Sequence, residues 1–175
     1  MDIDDIKERA RREAEELAAV YWPEGKFPVD PVRIASRMGA TVRIGELHED
    51  VSGAVYRAVK EDPVILINRK DSTARQRFTC AHELGHVVER SGDSEEFHTV
   101  DYRRQEPGTL AEVFANEFAA CLLMPEAAVR SVFEDLDDMT DSRRLFSMAQ
   151  EFGVSTQAMN VRLSKLGLRS ARPTR

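Results

Sequence analysis

His82-Glu83-Leu84-Gly85-His86 sets two imidazoles four residues apart, with a carboxylate directly after the first. On a helix, residues i and i+4 project from nearly the same face, one turn apart. Two imidazoles at that separation can grip one Zn²⁺. Glu83 lies about a quarter-turn away, where it can take a proton from a water the ion activates. This is the arrangement of a metal-dependent peptidase. The chain has four histidines (His48, His82, His86 and His98), and two of them fall at this spacing around a glutamate. A buried helix with two merely satisfied histidines is the plain alternative. Hydrolysis needs this order of residues, whereas a core does not.

For this chemistry the segment must be helical. Asp71-Ser72-Thr73 offers side-chain acceptors for a helix start. Ala74 to Arg90 has no proline and one internal glycine. Phe78, Ala81, Gly85 and Val88 recur at helical spacing, and Ser91-Gly92 is a suitable stop.

Catalytic zinc usually takes three protein ligands and keeps one position for water. A third histidine six residues after His86 is excluded, because Glu89 and Gly92 occupy the positions that such a motif needs. Glu112 is the favoured third ligand, from a second helix packed across the first. Asn116, one turn on, could then accept a hydrogen bond from a ligand imidazole. Thr109-Leu110-Ala111-Glu112 also matches a capping box, in which Glu112 would turn back to its own helix start. Asp101, Glu106 and Glu117 are the other carboxylates considered, and His98 stands in no clear helical relation to the pair. Tyr56, His98 and Tyr102 are candidate donors to a tetrahedral oxyanion. Cys80 and Cys121 read as small buried apolar residues.

The positioning elements follow. Residues 3–20 read as a helix. A second helix runs from Asp30-Pro31 to about Met38, with Val32, Ile34 and Ala35 inward and Gly39 as its end. Three strand-like runs come next, Ala40–Ile44, Val51–Val59 and Pro63–Asn68. In the third, Val64 to Ile67 make a continuous apolar run, which predicts a central strand covered on both faces. The second alternates and carries Gly53, which predicts an edge strand able to pair with an extended peptide. Asp141–Gly153 and Ser155–Gly167 form a helix-turn-helix pattern, with Leu145, Met148, Ala149 and Phe152 inward on the first helix. Met159, Leu163 and Leu166 face inward on the second, with Arg162, Lys165 and Arg169 outside.

The chain resembles the ImmA/IrrE family of metallopeptidases over roughly residues 30–168. The resemblance is carried by Arg75-Gln76-Arg77-Phe78-Thr79-Cys80-Ala81 before the histidine motif, by Ala115-Asn116-Glu117-Phe118-Ala119, and by Leu122-Leu123-Met124-Pro125. It implies a compact zincin-like α+β domain with a helical unit behind it. It further implies cleavage of helix-turn-helix repressors, with release of phage, mobile-element or stress genes. By motif, His82, His86 and Glu112 match the metal ligands and Glu83 the catalytic base. Cys80 departs mildly from the aliphatic residue often found there. The chain also ends too early for the extra sensor domain of the radiation-response members.

Composition fits this picture. The 175 residues are 42% hydrophobic and 32% charged, ordinary for one globular domain with a small appendage. No apolar run is long enough to span a bilayer. An acidic N-terminus without a signal-peptide core, and only two cysteines, predict the cytoplasm. Net charge is −6; residues 141–175 hold seven basic and two acidic side chains, so they carry +5 and the rest −11.

The expected architecture is therefore α+β. A zincin-like domain with a small mixed or antiparallel three-stranded sheet covers 1–137, a helix-turn-helix-like unit packed on it covers 138–170, and a flexible tail covers 171–175. Zinc is the expected cofactor and manganese the second choice. DNA is considered as a partner of the C-terminal helices, but packing on the peptidase domain is preferred. The competing function is a non-catalytic zinc-containing module that acts on a repressor or DNA through those helices. Glu83 discriminates, because a structural site needs only ligands.

Overall fold

Asp2 starts the first helix. Its carboxylate accepts from the backbone N–H groups of Asp4 and Asp5, and Asp5 returns the bond to the cap. The resulting helix α1, Ile3–Tyr21, buries Ile6, Ala10, Ala14 and Leu17 at helical spacing. The computed structural model describes residues 2–92, 95–103 and 108–168. Helix α2, Pro31–Arg37, is capped by Asp30, and Gly39 follows it at φ +90, where a side chain would be strained. Strands β1 (Thr41–Gly45), β2 (Val51–Arg57) and β3 (Val64–Asn68) precede the long helix α3, Thr73–Glu89. Strand β4 is Phe97–Tyr102. Helices α4 (Leu110–Leu123), α5 (Glu126–Asp135), α6 (Asp141–Phe152) and α7 (Thr156–Lys165) complete the chain.

The sheet is mixed and ordered β1-β3-β2-β4, with β1 parallel to β3 and the other pairs antiparallel. It has four strands where the sequence predicts three. β2 lies inside the sheet, so its reading as an edge is wrong, and β4 is the edge beyond it. Gly53 has a different purpose. A Cβ there would lie 2.3 Å from Thr79 Cγ2 and 3.3 Å from Glu83 Oε1, so the glycine lets α3 press onto the sheet. β3 is central as expected. Ile65 and Ile67 are buried but Val64 and Leu66 only partly so, and one face alone is fully covered.

Helix α3 runs between the sheet and α4, while α1 lies along α4. The core gathers Ile6, Ala10 and Ala14 of α1, Leu84 of α3 and Phe114, Phe118 and Leu122 of α4. Close approach of α3 and α4 rests on Gly85. A Cβ there would sit 3.0 Å from Ala115 Cα and 3.2 Å from Phe118 Cδ1.

The helix-turn-helix pair is anchored by three cations, of which Arg162 is buried. Gly153 caps α6 at φ +62 and accepts a 3.0 Å hydrogen bond from Arg77 of α3, which also donates to Val29 O. Arg162, expected outside, is 4% exposed and donates to Met124 O at 2.9 Å. Lys165 pairs with Glu117 at 2.9 Å. Arg162 is thus turned inward onto α4, whereas Lys165 stays half exposed at the rim. Arg169 and the expected tail 171–175 lie outside the described residues.

Candidate metal centre

The last turns of α3 are buried almost completely, from Thr79 to Val88. Ser72 caps the helix by accepting from Arg75 N, so the predicted start is correct to within a residue. His82 and His86 emerge on one side, with their ring nitrogens Nε2 3.2 Å apart. Across from them, α4 begins at Thr109, whose hydroxyl accepts from Glu112 N at 3.2 Å. Only this half of the capping box forms. The Glu112 carboxylate reaches the histidines instead, with Oε2 3.4 Å from His82 Nε2 and Oε1 3.3 Å from His86 Nε2.

Three donors held 3.2–3.4 Å apart fit a single small cation. A tetrahedron with bonds of roughly 2.0–2.1 Å has edges of about 3.3–3.4 Å. A hydrogen-bonded cluster accounts for the spacing less well: each Nε2 carries at most one proton, so two rings that both donate to Glu112 leave none for the contact between them. His82, His86 and Glu112 are also the group of metal-capable side chains found among the described residues, with ligand atoms within 4.8 Å of one another. A cavity of about 90 Å³ adjoins them, lined by Arg75, Phe78, Asp101, Tyr102, Arg103 and Asn116. That leaves room for water at a fourth position.

Electrostatics in the absence of a cation show how strongly the group calls for positive charge. Burial opposes the charged form of His82, yet Glu112, Glu83 and Asp101 outweigh it and raise its pKa. Hydrogen bonds to His82 and His86 hold Glu112 well below the usual carboxylate range, against its partial burial. Glu83 is fully buried, and burial pushes its pKa up to about 8; nearby His82 pulls the other way. Its Oε2 accepts from Thr99 Oγ1 at 3.1 Å, and its Oε1 is buried without a partner.

The other candidates separate clearly. Asp101 is ion-paired to Arg75 at 3.0 Å and outside the donor triangle. Glu117 is turned away from the cavity, toward Arg11, Arg162 and Lys165. Glu106 lies outside the described residues. Asn116 does not hold the His86 imidazole, whose Nδ1 has no partner; it lines the cavity. Tyr56 and His98 are paired neighbours on β2 and β4, both exposed, and neither lines the cavity. Tyr102 does. Cys80 and Cys121 are free and buried, and burial pushes their thiols up to about 12 and about 11, so both stay protonated. The sequence assigns no role at the site to Thr99, which donates to Glu83, or to Arg75, which pairs with Asp101. Thr99 and Asp101 alternate along β4 on the face toward α3, a signal hidden because both are polar.

Gly85 controls the distance between the two ligand-bearing helices. Gly85→Val should force α4 away from α3, cost about 1–3 kcal/mol of stability by overpacking, and weaken metal retention. Thermal unfolding and metal content of the purified variant check this. Unchanged metal content with α4 displaced would show that the triangle tolerates the shift.

The model described as "IrrE N-terminal-like domain", of a peptidase family, matches residues 35–164. The chain is 37% identical over 76 residues to the radiation response metalloprotease IrrE of Deinococcus radiodurans, which covers 42% of this chain and 23% of that one. It is 32% identical over 100 residues to an uncharacterized immunity region protein of Bacillus phage phi105, covering 57% of this chain and 61% of the relative. Each match thus spans less than two thirds of the relative's length. A solved Mycobacterium tuberculosis transcriptional regulator is similar in fold, with TM-score 0.52 and 16% identity over 99% of this chain and 54% of that one.

Proposed function

The chain belongs to the IrrE N-terminal-like peptidase family, and from that premise we propose a zinc-dependent endopeptidase that cleaves a helix-turn-helix repressor. The observation that carries this reading is the donor triangle of His82, His86 and Glu112. These three would hold the ion. When bound, the ion would polarise the scissile carbonyl and lower the pKa of a water from about 15.7 to about 7. The donor set of two imidazoles and a carboxylate suits zinc, with manganese as the alternative.

Glu83 then takes a proton from the attacking water and returns it to the leaving amine. Its unpartnered Oε1 is the accepting atom, while Thr99 fixes the carboxylate through Oε2. Tyr102, at the cavity wall, is the phenol available to the oxyanion. The outer edge of β4 offers backbone groups to an extended peptide. In this reading residues 1–137 form the peptidase part, and the helical pair within 138–170 packs on it rather than gripping DNA.

Against a purely structural ion stand the donor count and Glu83. A structural zinc site closes with four protein ligands, whereas three converge here among the described residues. The repressor as substrate is supported by the family resemblance and by the phage relative, an immunity region protein. Two free, buried cysteines suit the reducing cytoplasm, and no helix among the described residues is long and apolar enough to cross a membrane. To test the substrate, the protein is incubated with the repressor encoded by a neighbouring gene and the fragments are weighed by mass spectrometry. One defined cut is expected, absent with Glu83→Gln. An intact repressor, beside cleavage of other proteins, would remove the repressor while leaving the peptidase.

A further inference from the structure

A second space opens beside the metal cavity. It is a groove of about 510 Å³ between the start of α3, the middle of α4 and α7, within the roughly 300–1,000 Å³ typical of ligand clefts. Its apolar walls are Phe78, Ala120, Met124, Val154, Ala158 and Val161. Val161 is 50% exposed, an apolar side chain left facing solvent in the middle of a helix. Arg75, Phe78 and Asn116 line both the groove and the metal cavity, so the two adjoin.

Charge tells what the groove would accept. Arg75, Arg162 and Lys165 line it, and no carboxylate does. Asp101 pairs with Arg75, and Glu117 with Arg162 and Lys165, so three lining cations less two carboxylates leave one positive charge in excess at the groove. A basic end on an apolar trough complements a peptide that presents a large apolar side chain flanked by Asp or Glu. Duplex DNA fits poorly. Duplex phosphates need many exposed cations along a surface, whereas this trough offers two part-exposed ones, Arg75 and Lys165, between apolar walls.

We propose that this groove is a specificity subsite of the peptidase, which seats an apolar, acid-flanked segment of the protein substrate on one side of the scissile bond. It rests on the peptidase reading above. It also gives α7 a role: the helix forms one wall of the substrate channel.

The full-length protein loaded with zinc would digest a proteome-derived peptide library, with cleavage sites read by mass spectrometry. Val161→Glu and Val161→Lys, both at an exposed position, are run beside it. Wild-type cuts should concentrate where a large apolar residue with an acidic neighbour sits at a fixed distance on one side of the bond. Val161→Glu should lower kcat/KM on those peptides about tenfold or more, mainly through KM. Val161→Lys should keep the acidic preference and weaken the apolar one. Wild-type cleavage without this preference, or the same preference in Val161→Glu, would overturn the subsite. Inhibition by duplex DNA that Val161→Glu relieves would overturn it too, in favour of nucleic acid. Equal cutting by wild type and Glu83→Gln, or no cutting by a protein that binds no zinc, would remove the peptidase reading itself and this proposal with it.

Discussion

Replacing Glu83 with glutamine should leave the metal content unchanged and lower cleavage by about 10²–10⁴-fold, the usual contribution of a positioned acid–base group. The amide has the carboxylate's shape, and its oxygen can still accept from Thr99 Oγ1, so the surrounding structure has no reason to move. What disappears is the second oxygen that can take a proton, the buried and unpartnered Oε1. A second effect should accompany the loss. Burial raises the Glu83 pKa to about 8, above its ordinary value, so ionising it costs the folded state stability at any pH above the unfolded value. Glutamine removes that cost. The metal-free variant should therefore melt above metal-free wild type at pH 7–8, and the gap should close as pH falls toward the ordinary carboxylate range. A stabler fold with dead catalysis is the signature of a group kept for chemistry. Calorimetry of chelator-treated protein, together with metal analysis and cleavage assays of the loaded protein, tests both effects. A variant that melts lower and has lost its metal would mean that Glu83 holds the site together instead of working in it.

The parts legible in the sequence are those fixed by local geometry. His82, Glu83 and His86 are set by one helical turn, and the turn forms where its spacing says. Ser72 and Gly153 carry out the capping that their types suggest. Long-range pairing was less visible. β4 escaped notice because two of its residues facing α3, Thr99 and Asp101, are polar. They engage Glu83 and Arg75, so the alternation that marks a strand is erased by the needs of the site. Gly53 pointed to an edge because a strand glycine often does; its cause is a helix pressed against an interior strand. Arg162 was placed outside by its charge. A guanidinium can be buried when it is paired and hydrogen-bonded, and here Nε donates to Met124 O while the Glu117 carboxylate, 4.0 Å from Nη1, balances the charge. Charge patterns assign faces one helix at a time, whereas the cluster around Glu117 draws on α1, α4 and α7 together.

Glu112→Ala separates two roles that the sequence left entangled. The helix start depends on Thr109 Oγ1 accepting from the backbone N–H of residue 112, which alanine retains. Helix α4 should therefore stay capped, and circular dichroism should show unchanged helix content. The metal should be lost. Removing one of three protein ligands is expected to cost more than the roughly 10–100-fold in affinity typical of an outer partner. The metal-free variant should also change its response to acid. The Glu112 pKa is depressed in the folded protein by the two histidines, so its stabilising contribution is present above the ordinary carboxylate pKa and lost as pH falls through the folded value. In the variant that acid-labile contribution is missing. Thr109→Ala is the converse: it should cost about 1 kcal/mol through the lost cap while metal binding persists once the protein is folded. Equilibrium dialysis against zinc and thermal melts across pH distinguish the pair. If Glu112→Ala kept its zinc and Thr109→Ala released it, the carboxylate would be a helix cap after all, and the two histidines would need their third partner elsewhere.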